Sequence, residues 1–106
     1  MTLFNTESFS SIIQKGAIEW NRHALERMME RGISRHEVVD VLLDGEVIEY
    51  YPSDYPYPSV LMLGNPDRVP LHVVVAYNND QETLYIITAY YPDDLHFMDD
   101  CKTRRT

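Results

Sequence analysis

The spacing of apolar residues changes once along this chain, and the change falls at Gly45. Before it, apolar residues recur at helical intervals. After it, they follow the two-residue period of strands. Helices come first and strands second, an order that belongs to α+β domains.

The helical part has clear punctuation. Asn21 stands where an N-cap is needed. From Arg22 to Arg31, Ala24, Leu25, Met28 and Met29 fall on one helical face, with His23, Arg27 and Glu30 opposite. Gly32 is the expected left-handed stop. Ser34 and Glu37 then form a capping box for a second helix, whose buried stripe is Val38, Val41 and Leu42 and whose end is Gly45. Residues 1–16 carry no strong pattern and read as a flexible arm or a short added helix.

The strand part is equally marked. Glu46–Tyr51, Ser59–Leu63, Leu71–Tyr77 and Thr83–Tyr91 read as strands. Between the first two lies PSDYPYP, whose prolines exclude regular structure. Leu71–Tyr77 is apolar on both faces apart from His72, which predicts a central position. Short loops imply an antiparallel meander. The expected fold is two N-terminal helices on a four-stranded antiparallel sheet, with Ala17–Trp20 as a candidate fifth strand, all within one domain over residues 17–106. The predicted core is Leu25, Met28, Val38, Val41, Leu42, Val73, Val75, Ile86 and Thr88.

Composition narrows the function classes. At 106 residues, with 44% hydrophobic and 25% charged residues, the chain resembles an ordinary globular domain. Its one cysteine, Cys101, excludes an internal disulfide and lies beside Asp99 and Asp100, which disfavour a reactive thiolate. No apolar run is long enough to span a bilayer, and the first residues do not read as a signal peptide, so a cytoplasmic location without a membrane partner is expected. The net charge of −8 argues against a general nucleic-acid binder. Its distribution is uneven: Arg22, Arg27, Arg31 and Arg35 lie in one stretch, and Lys102, Arg104 and Arg105 close the chain. They form a basic site if the fold joins them, or pair with Glu19, Glu26 and Glu30 if it does not.

Several residues are able to carry chemistry. His23, Arg27 and Arg31 recur every four residues, presenting an imidazole and two guanidiniums along neighbouring helix positions. His72 interrupts an apolar strand, so it is either a hydrogen-bonded core histidine or faces a cleft. A metal site from His23 and His72 lacks a carboxylate at diagnostic spacing. The tyrosines around the proline-rich loop suit base stacking, a protein interface or simple loop stiffening. Tyr90, near the end of the last strand, is a candidate acid or hydrogen-bond donor to a phosphate.

The motifs W-x-x-H-A-x-x-R-M-x-x-R-G-I-S (Trp20–Ser34), G-E-V-I-E-Y-Y (Gly45–Tyr51), P-S-V-L-M-L-G (Pro58–Gly64), P-L-H-V-V (Pro70–Val74) and I-I-T-A-Y-Y-P-D (Ile86–Asp93) resemble an uncharacterised bacterial and archaeal family of small single-domain proteins. More remotely, that family is similar to the BrnT, RelE and MqsR toxins of toxin–antitoxin operons. The resemblance implies a RelE-like fold, metal-independent RNA cleavage by 2′-hydroxyl attack, no cofactor, and RNA and a small antitoxin-type protein as partners. His23, His72 and Tyr90 would then supply acid–base groups, and Arg27, Arg31 and Arg104 would hold the phosphate. The other reading is a non-catalytic protein- or RNA-binding module on the same fold. A second copy of the chain is a further candidate partner.

Overall fold

The computed structural model of the protein describes residues 7–92. Its elements are α1 (Glu7–Gln14), β1 (Ile18–Trp20), α2 (Arg22–Arg31), α3 (Arg35–Asp44), β2 (Glu46–Tyr51), β3 (Ser59–Gly64), β4 (Leu71–Asn78) and β5 (Thr83–Tyr90). The helices lie on one face of a five-stranded sheet of order β1-β5-β4-β3-β2. This is the expected α+β architecture.

The local signals act as their chemistry requires. The Asn21 side chain accepts a hydrogen bond from the Ala24 N–H at 2.7 Å. Both capping-box bonds form, Ser34 N–H to Glu37 at 2.9 Å and Glu37 N–H to Ser34 at 3.1 Å. Gly32 takes the left-handed conformation at φ 70°. The hairpin between β4 and β5 turns on Asn78, whose side-chain oxygen accepts from the N–H groups of Asp80 and Gln81.

Strands β2 to β5 form the antiparallel meander; β4 is the middle strand of the five, as its composition predicts, and β3 beside it is buried at every position. The fifth strand runs the other way. β1 pairs with β5 in parallel, Ile18 opposite Leu84 and Trp20 opposite Ile86. The sheet is therefore mixed. A hairpin loop forces neighbouring strands to be antiparallel, but β1 reaches β5 through two helices and three strands, so nothing local sets its direction.

One layer of core lies between helices and sheet. Phe9, Ile12, Ala24, Met28, Val38, Val41 and Leu42 meet Val60, Met62, Leu71, Val73, Val75, Leu84, Ile86 and Ala89 there. Of the two readings of the first residues, the segment from Glu7 on is the short added helix and not the flexible arm: Phe9 and Ile12 are fully enclosed, because the spacing of Phe9, Ile12 and Ile13 gives α1 an apolar stripe. Two expectations need correction. Met29 is 80% exposed, since it lies at the margin of the α2 stripe, beyond the reach of the sheet. Thr88 is only half-buried and Ala89 replaces it in the core. The pairing slips between Val74–Thr88 and Val75–Ile86, making Ile87 a bulge that exchanges the faces beyond it. Leu25 packs against the core while staying partly exposed.

The helix layer sits very close to the strands at two glycines. A Cβ on Gly45 would lie 2.5 Å from the Val41 carbonyl oxygen and 2.7 Å from that of Leu63. On Gly64 it would lie 2.8 Å from a Val41 methyl. Leu42→Ala should cost about 2–5 kcal/mol in chemical denaturation. Gly45→Ala should cost about 3 kcal/mol or more, because backbone atoms must move. Gly32→Ala, with open space but a positive φ, should cost only about 1–2 kcal/mol.

Candidate functional site

Alternation along β4 decides where His72 goes. Leu71 and Val73 point into the helical core, so His72 points to the opposite face of the sheet. It is fully buried there. It pairs across the ladder with Tyr90, and the two rings meet edge to face at 5.3 Å between centroids. The structure thus joins two of the expected acid–base residues, in an enclosed setting.

The third, His23, lies elsewhere. It is exposed in the first turn of α2, on the outer surface of the helical layer. A shallow depression there is lined by His23, Glu26, Arg27, Met29 and Glu30. The sheet and the helix layer separate this surface from the face that carries His72.

Each arginine of the basic stretch has a separate engagement. Arg22 pairs with Glu26 at 3.6 Å and Arg27 with Glu30 at 3.1 Å, both along exposed helix positions. The Arg35 guanidinium lies 5.7 Å from the centre of the Trp20 ring. Arg31 turns to the sheet: its Nη1 donates to the Ala89 carbonyl at 2.9 Å and to the Thr88 hydroxyl at 3.3 Å. Arg104 lies outside the described residues, as do Cys101, Lys102 and Arg105.

The role of Arg31 follows from strand lengths. β1 stops at Trp20, opposite Ile86, while β5 continues to Tyr90. Among the described residues, the edge of β5 beyond Ile86 faces no strand. Asn21 donates a side-chain N–H to the Ile86 carbonyl at 3.3 Å, and Arg31 takes the Ala89 carbonyl. Side chains of α2 and its cap thus close the edge where β1 runs out. The resemblance implies a phosphate-holding role for Arg31 and does not point to this edge contact. The mismatch between a brief strand and a long one was the signal for it.

A second group of aromatics lies on the sheet face away from the helices. Tyr57, in the proline-rich loop, stacks on Tyr85 of β5, with centroids 5.2 Å apart and rings 8° from parallel. Burial holds the Tyr57 phenol above its ordinary range; Tyr85 and Asp80 add to the rise, and Asn78 opposes it. The loop is tied at both ends. The Asp54 N–H donates to the Tyr51 carbonyl at 3.3 Å, the Ser59 hydroxyl donates to the Asp54 side chain, and the Tyr77 N–H donates to the Pro58 carbonyl at 3.2 Å. Tyr55 projects from it, 94% exposed.

Among the described residues, no group of three or more His, Cys, Asp or Glu side chains is arranged to hold a metal ion. Among those residues, too, no helix is long and apolar enough to cross a membrane.

A family model matches the chain from residue 20 to residue 91. The chain belongs to that family, a domain of unknown function (DUF4258). The membership expected from the motifs, in an uncharacterised small-domain family, is met. No curated protein and no solved structure matches the chain. The family span takes in His23, Arg27, Arg31, His72 and Tyr90 and stops short of Arg104.

The two arginines should behave differently on removal. Arg31→Ala should cost about 1–3 kcal/mol in urea denaturation, because it strips a charged donor from a strand carbonyl. Arg27→Ala should stay within about 0.5 kcal/mol, as expected for an exposed ion pair.

Proposed function

We propose that this protein is a non-catalytic binding module whose partner is another protein. The observation that carries this reading is the complete burial of His72. A general base must come within hydrogen-bond reach of the hydroxyl it deprotonates, and a fully enclosed imidazole offers an RNA no such approach. Among the described residues, the remaining groups do not compensate. His23 lies on the other side of the molecule, Arg27 is engaged by Glu30, and Arg31 is held by β5. Phosphate catalysis needs fixed cations gathered on one site, and here they are spread along a helix. The net charge of −8 favours a protein partner over RNA, since a polyanion gains little from an acidic body.

A toxin-like, metal-independent endoribonuclease is the second reading. One observation favours it: His72, Tyr90 and Arg31 all act within the last residues of β5 and its neighbour strand. A local opening of that end would bring an imidazole, a phenol and a guanidinium to the same surface. The antitoxin-type partner and the RelE-like toxin resemblance belong with this reading.

The two readings part in an RNA-cleavage assay run with a chelator present. The native protein, Tyr90→Phe and Arg31→Ala should all give the buffer background. Metal-independent cleavage by the native protein that leaves cyclic phosphate ends, and that falls at least about 100-fold in Tyr90→Phe, would overturn the binding-module reading.

A further inference from the structure

The face of the sheet turned away from the helices carries an aromatic surface rimmed by carboxylates. Its centre is the stacked pair of Tyr57 and Tyr85, each partly exposed. Glu19 lies opposite Tyr85 in the parallel β1–β5 register. Ile18 and Trp20 on either side of it pack towards the helical core, so Glu19 shares the outer face with Tyr85. Asp80 is exposed in the β4–β5 hairpin, at the end of the strand that carries Tyr85, where its N–H donates to the Asn78 side chain. Tyr55 stands two residues from Tyr57 in the same tied loop and is almost wholly exposed.

Among the described residues, two charges of this surface have no ion-pair partner. Lys15 pairs with Glu82 at 3.5 Å, which takes up the basic residue of this end of the sheet. Among the described residues neither Glu19 nor Asp80 forms an ion pair. Two carboxylates therefore flank an electron-rich pair of rings. A guanidinium is the group that matches both features, because its plane stacks on an aromatic ring while its edge donates to a carboxylate. The rings are pre-arranged by their own stacking and by the bonds that tie the loop, so docking orders little new structure. A nucleic-acid base also stacks on tyrosine, but its phosphates would meet Glu19 and Asp80.

We propose that this surface docks an arginine-bearing segment of a partner protein, with a guanidinium lying on the Tyr57–Tyr85 pair and donating to Glu19 or Asp80. The proposal deepens the protein-binding reading and rests on it. It names the face used, which is opposite to the helical surface around His23 and Arg27, and it names the chemistry of the partner.

The test uses the full chain and a fluorescein-labelled peptide of alternating glycine and arginine, with a glycine–lysine peptide and oligouridine as comparisons. Binding is read by fluorescence anisotropy at physiological salt. The arginine peptide should bind more tightly than the lysine peptide. Tyr55→Ala and Tyr57→Leu, which leave the net charge unchanged, should each weaken it about two- to fivefold. Glu19→Gln and Asp80→Asn should do the same, whereas Asp40→Asn on α3, an equal change of charge on the helical face, should alter it less than about twofold. Glu19→Gln and Tyr55→Ala change exposed positions and keep the test valid should Tyr57→Leu unfold. Equal losses for Asp40→Asn and Glu19→Gln, with no loss for the tyrosine variants, would show that overall acidity alone draws the peptide and would overturn the proposal. Oligouridine binding that Tyr55→Ala abolishes would assign the surface to nucleic acid and overturn it likewise. Either failure leaves the binding-module reading to be judged by the cleavage assay, which does not involve these residues.

Discussion

Val41 sits between two glycines, and the rest of the fold depends on that contact. Gly64 offers the Val41 side chain a strand position with no Cβ, and Gly45 lets the chain leave α3 while pressed against the carbonyls of Val41 and Leu63. Any larger residue at either place would hold α3 off the sheet. Once α3 is seated on β3 and β4, Val38 and Leu42 close over the central strands. α2 is carried onto β5, and α1 fills the remaining space with Phe9 and Ile12. Close-packed interiors tolerate little slack, so a displaced α3 would open the whole layer.

The same seating separates the residues that looked catalytic. α2 lies along β5 with its apolar stripe inward, which leaves His23 and Arg27 on the outermost surface. His72 is sent to the opposite face by the alternation of β4. Arg31 alone reaches from the helix to the strand end, where β1 has stopped and a carbonyl needs a donor. A spacing of four residues on a helix aligns side chains along the axis, but it does not decide that they share one partner. Here one arginine meets a glutamate and the next meets the sheet.

Much of this was legible in the sequence. The change of period at Gly45, the Asn21 cap, the Ser34–Glu37 box and the Asn78 turn are interactions between residues close in the chain, so their chemistry is complete before the fold is known. The strand of highest apolar content, around His72, could be placed centrally because only a strand covered on both faces tolerates such a composition. The exceptions have physical causes. Ile87 has the composition of a regular strand residue, and nothing in it announces a bulge. Met29 is apolar, but exposure at the edge of a stripe depends on where the partner surface ends. The α1 stripe is short and was outweighed by the polar residues around it.

The sequence by itself determined α2, α3 and the four meander strands, their order, and, short of the Ile87 bulge, which of their faces are apolar, because these follow from hydrogen bonds and periodicities within a few residues. It also determined the charge balance that sets this acidic body against a polyanionic partner. Only the tertiary structure decided that β1 joins β5 in parallel, that His72 is enclosed, and that Tyr57 finds Tyr85 with Glu19 and Asp80 beside them. Those outcomes rest on contacts between residues far apart in the chain. Their geometry is set by how the layers fit together, which no local pattern encodes.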